Sequence, residues 1–199
     1  MEIEKNISKS VLRALLKDPS MHHTITSLAR ELKMSRVGMW KVLKKLERKR
    51  YINLNPIGSG KTSTYTISLN WESTLMEKAL ALYLAEEAME QRRWQADFAE
   101  LGSKTDFLIL YGSILHSPKQ AHDIDIIGVA RKDKFTPIQK ALDTIQRTAD
   151  RKIHAVHFTE KEFRKELQKP NEAFIAAVKK GVVLFGQESF IRIMRKIHG

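Results

Sequence analysis

Apolar residues in the first fifty positions of this chain recur at helical spacing; further along they gather into short runs separated by turns. Val11, Leu12, Leu15 and Leu16 predict a helix over 8–17, because residues three and four apart share one face of a 3.6-residue turn. Residues 26–32 predict a second short helix, capped by Thr24 or Thr26. Lys33 and Met34 make a turn. Ser35 then caps a third helix, whose apolar positions Met39, Leu43 and Leu46 fall at i, i+4 and i+7. Residues 51–55 and 63–69 predict two strands joined across 56–61, a stretch with one proline and two glycines.

Residues 72–101 contain neither Gly nor Pro and are rich in Ala, Leu, Glu and Met. They predict one helix of about thirty residues, near 45 Å long. Leu75, Leu82 and Met89 recur every seven residues, with Met76, Ala79, Tyr83 and Glu86 around them. Such a stripe suits packing on the following domain, or pairing with a second copy in a homodimer. After it comes an apolar strand ending in Leu108-Ile109-Leu110-Tyr111, a Gly112-Ser113 turn, and a strand that carries Asp123-Ile124-Asp125. A helix over 136–149 and a strand over 152–158 follow.

Charge is unevenly spread. Residues 1–71 hold fourteen Lys and Arg against five Asp and Glu, and the rest of the chain is close to balanced, within a formal total of +12. Neutralising phosphates is the main source of sequence-independent DNA affinity, and a charge concentration of this kind is its footprint. Three helices followed by a hairpin with a basic tip resemble a winged helix-turn-helix domain, which implies DNA as partner and the third helix in the major groove. The candidate DNA contacts are Ser35, Arg36, Trp40, Lys41, Lys44, Lys45, Arg48 and Lys61, with Arg36 and Lys41 placed to reach bases or phosphates. Trp40 is expected either to stack on nucleic acid or to anchor the domain against its neighbour.

Asp123 and Asp125, two apart on a strand, project to the same side, and two carboxylates on one face suit a hard divalent cation. A Gly-Ser turn nearby lets backbone amides approach phosphate oxygens. Gly-Ser, a short spacer and Asp-x-Asp, followed by a helix, a strand and the terminal Gly181-Val182-Val183-Leu184-Phe185-Gly186, resemble the minimal nucleotidyltransferases of the DNA polymerase β superfamily. The resemblance covers about residues 103–199. It implies Asp123 and Asp125 as catalytic metal ligands, Gly112 and Ser113 as nucleotide-binding residues, Mg²⁺ or Mn²⁺ as the metal, and a nucleoside triphosphate, ATP first among them, as substrate or ligand. It also admits a helical partner protein. Active members place a third carboxylate on the later strand, and here His154 takes that position. Two functions follow: an enzyme that transfers a nucleotidyl group to an unknown acceptor, or a transcriptional regulator whose transferase-like domain senses nucleotide or binds protein.

The chain has no cysteine, which excludes structural disulfides and thiolate zinc sites. No apolar run approaches the length of a membrane span and no signal-peptide core is present, so a cytoplasmic protein without a membrane partner is expected. His22 and His23 are expected to lie solvated in a loop. Together the patterns predict an α+β protein: a helix-turn-helix domain at 1–71, a connecting helix at 72–102, and a mixed-sheet domain at 103–199.

Overall fold

The computed structural model describes residues 2–18, 22–57 and 64–198. The fold is mixed α+β, and the chain divides into two compact units, residues 1–80 and 81–199.

The first unit packs three helices, α1 (Glu2–Lys17), α2 (Ile25–Glu31) and α3 (Arg36–Arg48), with an antiparallel hairpin of β1 (Ile52–Ile57) and β2 (Thr64–Leu69). The helical rhythm is what forms the core: Val11, Leu12, Leu15, Leu16, Leu28, Met39, Leu43 and Leu46 are all buried. Thr24, not Thr26, caps α2. Its hydroxyl accepts from the Ser27 amide while the Ser27 hydroxyl accepts from the Thr24 amide, so two otherwise unpaired donors are satisfied. Ser35 caps α3 by accepting from the Gly38 amide.

His23 departs from the expected solvated loop. It is 3% exposed and its Nε2 lies 3.1 Å from the Asp18 carbonyl, whereas His22 is exposed. The cause is tertiary: the His23 carbonyl accepts from the Ile67 amide and Thr24 makes an isolated antiparallel bridge to Thr66, drawing this stretch onto β2.

The single thirty-residue helix expected over 72–101 is instead three segments: α4 (Thr74–Met89), α5 (Arg92–Asp97) and α6 (Ala99–Gly102). Burial explains the breaks. Met76, Leu80, Leu84 and Ala88 are buried at intervals of four, and the next position in that series, Arg92, is exposed. The next buried side chains are Trp94, Phe98 and Leu101. A straight helix would carry Trp94 well away from the face of Ala88, so the chain turns at Glu90 and Gln91 to bring the indole into the core. Leu75, Leu82 and Met89, the seven-residue stripe, lie on the exposed side.

In the second unit a four-stranded mixed sheet runs in the order β5-β4-β3-β6, formed by β3 (Phe107–Tyr111), β4 (Asp123–Val129), β5 (Lys152–Phe158) and β6 (Val182–Phe185). β3 is antiparallel to β4 and β6, and β4 and β5 are parallel. The β4–β5 crossover is α7 (Phe135–Thr148), and α8 (Glu160–Leu167), α9 (Glu172–Lys180) and α10 (Gln187–His198) complete the unit. One sheet face, with Leu108, Leu110, Ile124 and Ile126, packs with Trp94, Phe98, Ile138, Ala141 and Leu142. On the other, Phe107 meets Phe163 and Phe190 edge to face.

Candidate functional site

The start of β4 is where the two strand patterns meet. Ile124 and Ile126 turn into the core, which leaves Asp123 and Asp125 on the opposite face, both half-buried. Pairing of β4 with its neighbours then decides what stands beside them. Asp125 is opposite Tyr111 on β3 and opposite His154 on β5, and directly paired residues share a face. Asp123 is opposite Lys152. A row of Tyr111, Asp125 and His154 thus crosses three strands, with Asp123 one pleat away.

Ligand atoms of Asp123, Asp125 and His154 lie within 4.8 Å of one another. His154 Nδ1 is 3.4 Å from Asp123 Oδ2 and 3.6 Å from Asp125 Oδ1. These three form the cluster of His, Asp and Glu groups able to hold a metal ion among the described residues. Asp150 and Glu160, the carboxylates flanking β5, are engaged elsewhere. Asp150 meets Arg93 at 3.5 Å and Glu160 meets Lys196 at 2.6 Å. His154 is therefore the β5 side chain that stands beside the two aspartates.

Gly112 joins the site by close approach. Its backbone has φ +86°, and a Cβ there would collide with the Asp125 carboxylate. Glycine is needed for both reasons, and its bare backbone backs one oxygen of Asp125 while the other faces His154. Ser113 follows at the start of a single 3₁₀ turn, with its side chain exposed and its carbonyl accepting from the His116 and Ser117 amides.

Burial and neighbouring charge show in the protonation of Asp125 and Tyr111. Asp125 is held above the usual carboxylate range, first by burial and then by the neighbouring charge of Asp123, while His154 acts in the opposite sense. Burial, then Asp125 and Asp123, push the Tyr111 phenol up. A site in which a neighbouring negative charge raises the proton affinity of Asp125 is one that a cation would relieve. Tyr111 escapes the sequence reading because it looks like the last residue of an apolar strand; only its register against Asp125 brings it to the site.

A cavity of about 210 Å³ lies on the other face of the sheet, bounded by Trp94, Phe98, Ile124, Ile145 and Ile153, with Arg93 among the groups at its edge. It is separated from the Asp/His cluster by the strands themselves.

In the first unit the candidate nucleic-acid residues divide. Ser35, Arg36, Lys41, Lys44 and Arg48 are exposed on α3, and Lys45 is half-buried. The Trp40 ring is tilted on Tyr65 of β2 at 5.3 Å, with Lys44 Nζ 5.0 Å above it. It thereby packs α3 against the hairpin. Lys44 also pairs with Glu47 at 2.8 Å. Lys61 lies outside the described residues. No described helix is long and apolar enough to cross a membrane.

Comparison of the chain with protein-family models, with curated proteins and with solved structures finds no match.

Proposed function

We propose that this is a DNA-binding protein whose second unit transfers a nucleotidyl group from a nucleoside triphosphate, dependent on a divalent metal. The observation that carries the reading is the convergence of Asp123, Asp125 and His154 beside Gly112 and Ser113. Asp123, Asp125 and His154 would hold the cation, and the cation would neutralise triphosphate charge and lower the proton affinity of an acceptor hydroxyl. Gly112 and the exposed Ser113 would leave room for phosphate oxygens at the strand end. The exposed basic residues of α3, within a domain of three helices and a hairpin like that of winged helix-turn-helix proteins, would carry the unit to DNA.

The test is transfer of label from nucleoside triphosphates, with Mg²⁺ or Mn²⁺, to DNA, RNA or protein acceptors. The Asp123→Asn/Asp125→Asn variant is expected to lose transfer and keep its melting temperature within a few degrees. Transfer that survives in the variant overturns the assignment.

A second reading is favoured by one observation, the imidazole in place of a third carboxylate. A regulator built on the same fold would bind nucleotide without turnover and change its DNA affinity in response. Tight DNA binding that nucleotide shifts, with no transfer to any acceptor, would select it.

A further inference from the structure

We propose that Asp123, Asp125 and His154 form a three-ligand site for a four-coordinate transition-metal ion, Zn²⁺ in preference to Mg²⁺. The inference concerns the site of the proposed transferase and rests on that reading for its catalytic meaning, though not for metal binding itself.

Two features of the donor set argue for it. One is chemical. Imidazole suits Zn²⁺ and its neighbours, whereas Mg²⁺ keeps to oxygen ligands and sheds water reluctantly. Exchanging a carboxylate for neutral imidazole also removes a negative charge that a weakly held ion would need.

The other is geometric. With ligands about 2.0–2.2 Å from a tetrahedral Zn²⁺, neighbouring donor atoms stand about 3.3–3.6 Å apart. An octahedral Mg²⁺ at about 2.0–2.1 Å brings adjacent donors to about 2.9 Å. The two observed separations from His154 Nδ1, 3.4 and 3.6 Å, match the tetrahedral edges. They are also longer than the roughly 2.7–2.9 Å of a charge-assisted hydrogen bond, and the ring nitrogen lies at a similar distance from each carboxylate. Three protein ligands leave one position open, as at catalytic zinc sites where water or substrate completes the tetrahedron.

The site is built to hold that geometry. Asp125 is backed by Gly112, and all three donors project from adjacent paired strands, not from loops. β5 is an edge strand and His154 is exposed, so the residue can be exchanged without opening the core.

Cobalt(II) reports coordination number directly, because four-coordinate Co²⁺ absorbs visible light far more strongly than six-coordinate Co²⁺. The experiment titrates the metal-free protein with Co²⁺, then displaces it with Zn²⁺ or Mg²⁺. His154→Ala, His154→Asp and Asp125→Asn are run in parallel, and circular dichroism confirms their folding. The expected result is an intense visible band at one Co²⁺ per chain, displaced by stoichiometric Zn²⁺ but not by millimolar Mg²⁺. His154→Ala and Asp125→Asn should weaken Co²⁺ binding by at least about 100-fold, more than the loss of an outer-shell partner costs. His154→Asp should turn the spectrum pale and let Mg²⁺ compete. A pale six-coordinate spectrum in the unaltered protein, Mg²⁺ that competes equally, or a band that survives His154→Ala overturns the proposal. Transfer activity with Mg²⁺ and no tetrahedral Co²⁺ band would sink this inference and keep the transferase. A tetrahedral band without transfer to any acceptor would do the reverse.

Discussion

Gly112 answers to two constraints at once, a backbone conformation that L residues avoid and a carboxylate pressed against its α-carbon. Gly112→Ala should therefore cost stability, about 1–3 kcal/mol for the backbone alone. It should also displace Asp125 and weaken metal binding. Urea denaturation reads the first effect and metal titration the second; an unchanged midpoint with unchanged affinity would contradict the geometry. His157 offers a different residue-scale test. Its Nε2 is buried without a hydrogen-bond partner among the described residues, and burial lowers its pKa from the ordinary 6.5. The unfolded chain then takes up the proton first as pH falls. The contribution is full above the unfolded pKa and is lost as pH drops through about 6.5 towards the folded value. In His157→Leu, stability between about pH 7 and pH 5 should fall less steeply than in the unaltered protein. Equal slopes in the two proteins would show that His157 does not titrate in that window.

Elements owe their ends to single polar groups and their paths to single large ones. The Ser35 hydroxyl caps α3 at 3.0 Å from the Gly38 amide, so Ser35→Ala should destabilise the protein by about 1 kcal/mol. Ser35→Asp should restore most of that, and the comparison separates capping from any role in DNA contact. Trp94 decides a path: the chain leaves the line of α4 so that the indole can be buried, stacked with Phe98 at 6.2 Å. Trp94→Ala should cost about 3–5 kcal/mol, read by thermal or denaturant melting. A loss below about 1 kcal/mol would mean that something other than this burial breaks the helix.

Across the molecule, most of the net positive charge sits in residues 1–71, and the exposed face of α3 displays part of it. If that face meets phosphates, DNA affinity should fall steeply with salt. Arg36→Ala/Lys41→Ala should lower affinity and reduce the logarithmic salt slope by about one for each phosphate contact removed. Fluorescence anisotropy at several salt concentrations checks this. An unchanged slope would place the DNA contacts elsewhere, and a change in sequence preference would assign one of the two side chains to a base.

Much of the local structure is legible in the chain itself, because periodicity reports which face of an element is buried. Val11 to Leu16 and the Met39/Leu43/Leu46 series follow from spacing and capping alone, and the strand at 152–158 and the helix beginning near Thr136 also stand where the chain suggests them. So does the shared face of Asp123 and Asp125, which strand alternation dictates. Spacing failed where distant segments compete for the same core. Residues 72–101 read as one helix because nothing within them forbids it, yet Trp94 could reach its buried position only if the helix broke. His23 looked like a loop residue until the hairpin claimed its backbone. Strand order and register are likewise tertiary: they set Tyr111 and His154 on either side of Asp125, and turned Asp150 and Glu160 towards Arg93 and Lys196. Residue types and their alternation along a strand are local and readable from the chain itself. Which strand lies beside which depends on burying both faces of the sheet at once, and only the folded molecule decides that.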